Sequence, residues 1–199
     1  MPKSDKFLVL DLDRTLIRTF EPKEPQEGRP KRECDFKLGD LQVYKRPGLD
    51  DFLNYSRENF TLGVWSHGTG IYVDDIVELL FKKEDLEFQW CYDECEFLPD
   101  DHKEYIAPET RHLRLVKDID MLSRKKIIPL NKIIVVDDQP LHYLNYKNLI
   151  NVREWNGEED NELSIVQKFL SCIINSDDVR NEIMHYRTYK DFCASVKAS

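Results

Sequence analysis

Asp11 and Asp13 close an apolar, β-leaning run, Phe7-Leu8-Val9-Leu10, in the stretch Asp11-Leu12-Asp13-Arg14-Thr15-Leu16. Far downstream a second run, Lys132-Ile133-Ile134-Val135-Val136, is too short for a helix and rich in β-branched residues, and it ends in Asp137-Asp138-Gln139-Pro140. In an open parallel sheet the strand tips are where ligands bind, so acidic pairs at two such tips are chemically conspicuous. Alternation along a strand sends Asp11 and Asp13 to one side and Leu12 to the other. Set side by side, the two tips would gather carboxylates that repel and raise one another's pKa values unless a cation lies among them. Oxygen donors without cysteine or histidine favour magnesium over zinc or copper. Within the first pair, one carboxylate can attack a phosphorus while the other manages a proton. The plainer reading of either pair alone is an Asp-rich turn after a strand.

Two further fragments fit the same chemistry. Phe60-Thr61-Leu62-Gly63-Val64-Trp65 reads as a strand that delivers Ser66-His67-Gly68-Thr69-Gly70, and Val73, Ile76, Val77 and Leu80 then fall on one helical stripe. A serine hydroxyl and backbone N–H groups at a helix start suit phosphate oxygens, although a serine N-cap accounts for the fragment equally well. Val116-Lys117-Asp118 precedes a modest helical pattern through Ile119, Leu122 and Lys126. One lysine among many proves nothing; Lys117 gains weight from its order, after the serine turn and before the Asp-Asp strand.

Taken in that order, Asp11-Leu12-Asp13-Arg14-Thr15, the Ser66 turn, Lys117 and the strand ending Asp137-Asp138 resemble the motif set of the haloacid dehalogenase superfamily. More narrowly, the chain is similar to the branch of small C-terminal-domain phosphatases and NLI-interacting-factor-like proteins. Tyr44-Lys45-Arg46-Pro47-Gly48, Val152-Arg153-Glu154-Trp155, Asp160-Asn161-Glu162-Leu163 and Ser176-Asp177-Asp178-Val179-Arg180 add to the likeness, which runs from about residue 7 to about residue 181. The resemblance implies Asp11 as a nucleophile that becomes an aspartyl-phosphate. It implies Asp13 as the acid that protonates the leaving oxygen and then activates water, with its backbone carbonyl reaching a magnesium ion. Thr15 would brace the loop, Ser66 would bond the phosphoryl oxygens, and Lys117 would neutralise charge. Asp138 would complete the magnesium shell, with Asp137 as ligand or support.

The chain departs from the branch's usual pattern at Arg14, at the Trp65-Ser66-His67-Gly68 turn and at Asp138. Arg14, His67 and Gly68 lie where substrate enters, and all three departures loosen any transfer of substrate identity.

The elements that must position these groups read as an α/β fold: a doubly wound parallel sheet of haloacid dehalogenase type, helices on both faces, with no large cap domain. A small β insert, about 82–116, follows the Ser66 helix, because Phe88, Trp90 and Tyr92 alternate with Gln89, Cys91 and Asp93. Trp90 and Tyr92 would wall a substrate groove, or pack as a minor core. The run Thr110-Arg111-His112-Leu113-Arg114 offers cations for an acidic peptide, or simply solvated charge. The stretch Thr19–Asp35 lacks periodicity and reads as a loop; Leu41–Tyr44 reads as a short strand. Leu163, Val166, Leu170 and Ile173 form a late helical stripe, and Asp177 is placed to cap a last helix through Val179, Ile183 and Tyr186.

At 199 residues the chain suits a single domain over 1–199, with room for more protein beyond Ser199. A net charge of −9 argues against nonspecific nucleic-acid or anionic-membrane binding. No apolar run is long enough to span a bilayer and no signal peptide opens the chain, so an intracellular, soluble product is expected. The 5 irregularly spaced cysteines suit reduced thiols; a zinc site from Cys91, Cys95, His102 and His112 has poor spacing. The expected function is magnesium-dependent hydrolysis of a phosphate monoester on a protein or peptide, phosphotyrosine or phosphoserine/threonine standing level. The alternatives are a phosphatase of a small metabolite and a non-catalytic phosphoprotein-binding scaffold.

Overall fold

The computed structural model describes residues 3–24, 28–98 and 115–185. In chain order the strands are β1 (Phe7–Leu10), β2 (Ile17–Phe20), β3 (Phe36–Leu38), β4 (Leu41–Lys45), β5 (Thr61–Trp65), β6 (Leu86–Trp90), β7 (Glu96–Phe97), β8 (Leu115–Val116), β9 (Ile133–Asp137) and β10 (Leu149–Asn151). The helices are α1 (Leu49–Asn59), α2 (Gly70–Leu80), α3 (Ile119–Lys126), α4 (Glu162–Ile173) and α5 (Val179–His185).

The runs that ended in aspartates are continuous in apolar residues because both of their faces are covered. Leu8, Leu10, Ile134 and Val136 pack in one core with α1, α2, α4 and α5, while Val9, Ile133 and Val135 face a second core under α3. The main sheet has the order β10-β9-β1-β5-β6, with every pairing parallel. β1 lies at its centre, in register with β5 on one side and β9 on the other, so Leu10 stands level with both Val64 and Val136. The residues that follow these strands therefore emerge side by side at one edge. A separate antiparallel sheet, β2-β4-β3, flanks that edge.

Several expectations need correction. Leu86–Trp90 does not belong to an insert: it is the edge strand of the main sheet, parallel to β5. Its alternation reflects an edge position, with Phe88 and Trp90 turned inward and Glu87 and Gln89 outward. The departure from the doubly wound pattern begins after residue 90, where the described part is a short turn and the ribbon β7-β8. Trp90 is 9% exposed and packs edge-on against Trp65 with ring centroids 5.0 Å apart, so it is core and walls no groove. Thr19 and Phe20 belong to β2 rather than to a loop. The last helix is capped by Asp178, whose Oδ1 accepts from the Arg180 N–H at 3.0 Å, one residue beyond Asp177. Cys91 and Cys95 flank a turn at residues 92–94, and with Cys34 and Cys172 they are free thiols. His102, Thr110, Arg111, His112, Arg114, Tyr186 and Cys193 lie outside the described residues. Among the described residues no helix is long and apolar enough to cross a membrane.

Candidate active site

Asp11 leaves the tip of β1 with its N–H still bonded to the Val136 carbonyl at 3.1 Å, which ties it to β9. Lys117 follows β8, and its own N–H bonds the His142 carbonyl at 2.8 Å. From there the side chain runs into the interior: Lys117 is 1% exposed, and its Nζ donates to Asp11 Oδ1 at 2.8 Å and to Asp137 Oδ2 at 2.6 Å. One buried ammonium thus joins the two strand tips. Asp137 is fully engaged, since Oδ2 also accepts from Tyr143 Oη at 2.7 Å and Oδ1 accepts from the Gln139 N–H at 2.8 Å.

Thr15 joins the same tips a second time. Its Oγ1 donates to Asp138 Oδ1 at 3.1 Å and accepts from the Asp138 N–H at 3.0 Å, a reciprocal pair that fixes the β1 loop on the β9 turn. Asp11, Asp137 and Asp138 each offer a carboxylate oxygen, and these oxygens lie within 4.8 Å of one another. The cost of that crowding is visible in their acidity. Burial, then the Asp137 charge, pushes Asp11 well above the usual carboxylate range against the pull of Lys117. Burial and Asp137 push Asp138 up to about 6, with the Thr15 bond opposing. Burial also opposes charge on Lys117, yet Asp11 and Asp137 hold its ammonium above the usual lysine range.

Asp13 stands apart from the carboxylate group. Its Oδ1 accepts from Tyr72 Oη at 2.5 Å, and burial raises the pKa of Asp13 while this bond lowers it. Next to it Arg14 adopts φ +61°, a left-handed conformation that turns the chain back so that its N–H meets the Ile17 carbonyl at 2.6 Å. The Arg14 side chain, 44% exposed, pairs with Glu154, so its charge is already partnered at the rim.

Ser66 follows β5 and is buried; its N–H bonds the Trp90 carbonyl at 3.0 Å and its Oγ accepts from the Gly68 N–H at 3.0 Å. That local bond leaves the hydroxyl proton to donate elsewhere. Tyr92, 46% exposed, donates its N–H to the Gly68 carbonyl at 2.9 Å and so stands beside this turn. His67 packs edge-on against His142 at 4.0 Å between centroids; burial, Lys117 and His142 push its pKa down to about 2, and its ring is a neutral wall rather than an anion-binding cation.

Four groups escaped the sequence reading as site residues. Tyr72 holds Asp13, Thr19 holds Tyr72, and Tyr143 holds Asp137. Arg46, after β4, is wholly buried: it donates to the Thr15 carbonyl at 3.0 Å, to the Arg153 carbonyl at 2.8 Å, and through Nε and Nη2 to Asp160 at 3.1 and 2.7 Å. It ties the β1 loop to the segment before α4. Tyr72 shares a helical face with Ile76 and Leu80, a spacing that marks an inward tyrosine whose hydroxyl needs a partner. Neither Tyr143 nor Arg46 carries such a signal. Arg46→Met is expected to cost about 3 kcal/mol, the low end for breaking a buried ion pair, because Asp160, 2% exposed at its side chain, keeps only the more exposed Arg153 at 3.5 Å as a cationic partner. Urea midpoints measure that loss, and adding Asp160→Leu should recover part of it.

A parallel α/β sheet with Asp11 and Asp13 at one central tip, Asp137 and Asp138 at its neighbour and a buried lysine between them is the haloacid dehalogenase arrangement. A family model described as "NLI interacting factor-like phosphatase" matches residues 6–180, and the chain belongs to that family. It is 29% identical over 178 residues to a probable C-terminal domain small phosphatase of Dictyostelium discoideum, covering 88% of this chain and 53% of that protein. Over 180 residues it is 27% identical to the human carboxy-terminal domain RNA polymerase II polypeptide A small phosphatase 1, covering 88% and 62%. A putative CTD phosphatase-like protein of Invertebrate iridescent virus 3 is 30% identical over 185 residues, covering 83% of this chain and 95% of the viral protein. The chain thus spans less than two thirds of the Dictyostelium and human proteins.

Proposed function

We propose that this protein is a magnesium-dependent phosphoprotein phosphatase that works through an aspartyl-phosphate on Asp11. The observation that carries this is the convergence of Asp11, Asp137 and Asp138 on one point with Lys117 buried against them. Positive charge held beside a carboxylate at a strand tip meets the main demand of phosphoryl transfer, fixed partners for the phosphoryl oxygens around an in-line nucleophile.

The donor set fits magnesium. It is oxygen-only, and burial with the Asp137 charge raises the pKa of Asp11 and Asp138, a strain that a hard cation would relieve. Asp11 and Asp138, each with one carboxylate oxygen outside the bonds described, would hold the ion together with the Asp13 backbone carbonyl. Asp137, committed to Lys117, Tyr143 and Gln139, acts as support. When bound, the ion would neutralise charge on the carboxylates and on the transferring group.

The chain's own groups do the rest. Asp11 attacks phosphorus, Lys117 keeps it ionised and aimed, and Ser66 donates to a phosphoryl oxygen. Asp13 gives a proton to the leaving oxygen and takes one from water in the second half. A protein substrate fits better than an enclosed metabolite, because the described residues between α2 and α3 form a strand, two short turns and a short ribbon. The relatives' names point to a phosphorylated polymerase tail, so peptides of that kind head the panel. It carries phosphoserine, phosphothreonine and phosphotyrosine, the choice among them lying with the wall formed by His67, Gly68 and Tyr92. Chelation is expected to abolish phosphate release from the best peptide, and added magnesium to restore it. Release that persists after chelation, or only from sugar phosphates, refutes the proposal.

A further inference from the structure

The carboxyl of Asp13 has two oxygens in unequal surroundings. Tyr72 Oη donates to Oδ1 at 2.5 Å, and Thr19 Oγ1 stands 2.8 Å from that same phenol oxygen. A phenol has one proton; with it committed to Asp13, Thr19 must be the donor in the second bond. The bonds therefore run from Thr19 on β2 through Tyr72 on α2 to the tip of β1, and three separate elements meet on one carboxyl.

An oxygen that already accepts a short bond from a phenol is a poor seat for the acid proton, which is left to Oδ2. We propose that Tyr72, oriented by Thr19, is a positioning residue that fixes the rotamer of Asp13 and reserves Oδ2 for proton transfer. The proposal rests on Asp13 being the acid–base group of the preceding section. In the first half, the bond between Asp11 and phosphorus forms as the bond to the leaving oxygen breaks, and the Oδ2 proton passes to that oxygen. In the second, water loses a proton to Oδ2 as its oxygen bonds phosphorus and the bond to Asp11 breaks.

The local packing is built around the ring. A Cβ placed on Gly68 would meet Tyr72 Cδ1 at 2.7 Å, so glycine in the Ser66 turn is what lets Tyr72 reach across to β1. The departure at Gly68 thus has a structural reason tied to Asp13 as well as to substrate entry. Any ring at this position needs the narrow turn; what the hydroxyl adds are the bonds to Thr19 and Asp13.

The role of a proton donor shows in its dependence on the leaving group: a nitrophenolate departs with little help, an alkyl-substituted phenolate needs a proton. The test is kcat/KM for a series of aryl phosphates, from nitro- to alkyl-substituted. Tyr72→Phe is expected to lose about 10-fold or more at the alkyl end, progressively less towards the nitro end, with kcat falling more than KM rises. Thr19→Val should give a smaller loss of the same slope, and Thr19→Ser should stay near the parent. Gly68→Ala, which displaces the ring while keeping its hydroxyl, should resemble Tyr72→Phe. A loss uniform across the series, or no loss, overturns the assignment. Asp11→Asn on the same series separates the two levels: turnover in that variant defeats the reading of the whole site, whereas an inactive Asp11→Asn beside a flat Tyr72→Phe profile defeats the positioning role alone.

Discussion

Asp11→Asn is expected to abolish phosphate release, by on the order of 10⁴-fold or more, while leaving the protein at least as resistant to heat in chelator as the parent. The first half follows from chemistry: an amide has no carboxylate to attack phosphorus, and among the described residues the neighbouring carboxylates are committed elsewhere, Asp137 in three hydrogen bonds, Asp138 to Thr15 and Asp13 to Tyr72. The second half follows from linkage. Burial and neighbouring charge raise the pKa of Asp11 in the folded state, so keeping it ionised near neutral pH opposes folding. The sign follows: a carboxyl with a raised folded pKa weakens the fold above that pKa, and the penalty fades as pH falls through it. A neutral amide of the same shape removes the penalty at all pH values. Activity assays with thermal melting in chelator check both halves. A melting temperature several degrees below the parent would mean that the lost activity reflects a damaged fold rather than a missing nucleophile.

That opposition between stability and activity also explains what was legible in the sequence. The site announced itself because it breaks local rules: aspartates at the ends of β1 and β9, where apolar runs stop abruptly, have no structural purpose that propensity supplies. β1 and β9 were readable for the same reason, their unbroken apolar stretches being long enough for strands and too short for helices. β6 was misplaced because an edge strand alternates as a strand in a small insert does, and alternation does not say which sheet a strand joins. Phe88 and Trp90 were put on a common face correctly, yet which core lay under that face depended on β5 and α3. What could not be read were the bonds between distant residues. Arg46 with Asp160, Tyr143 with Asp137 and Tyr72 with Asp13 depend on the sheet order, which no periodicity records. His67 shows the limit from the other side: its position beside Ser66 says where substrate would enter, but not that burial and Lys117 keep its ring uncharged.

Lys117→Met should lose both activity and stability, the reverse of the Asp11 variant on the second count. The methionine fills a similar volume, so the change is chiefly one of charge. Without the ammonium, the facing oxygens of Asp11 and Asp137 repel with nothing between them, and the Lys117 bonds of 2.8 and 2.6 Å are lost from a buried setting. Breaking a buried ion pair by removing one partner typically costs about 3–5 kcal/mol. Part of this is recoverable: magnesium held by Asp11 and Asp138 would offset some of the charge, so the variant should gain more thermal stability from added magnesium than the parent does. Activity should not return with it, because the transferring phosphoryl group still lacks the fixed positive charge beside the nucleophile. The double variant Asp11→Asn/Lys117→Met supplies the coupling. If the lysine is unreplaceable mainly because of the nucleophile's charge, the double variant should melt well above Lys117→Met alone. Additive losses in that cycle would show that Lys117 is held by Asp137 and its surroundings, independently of Asp11.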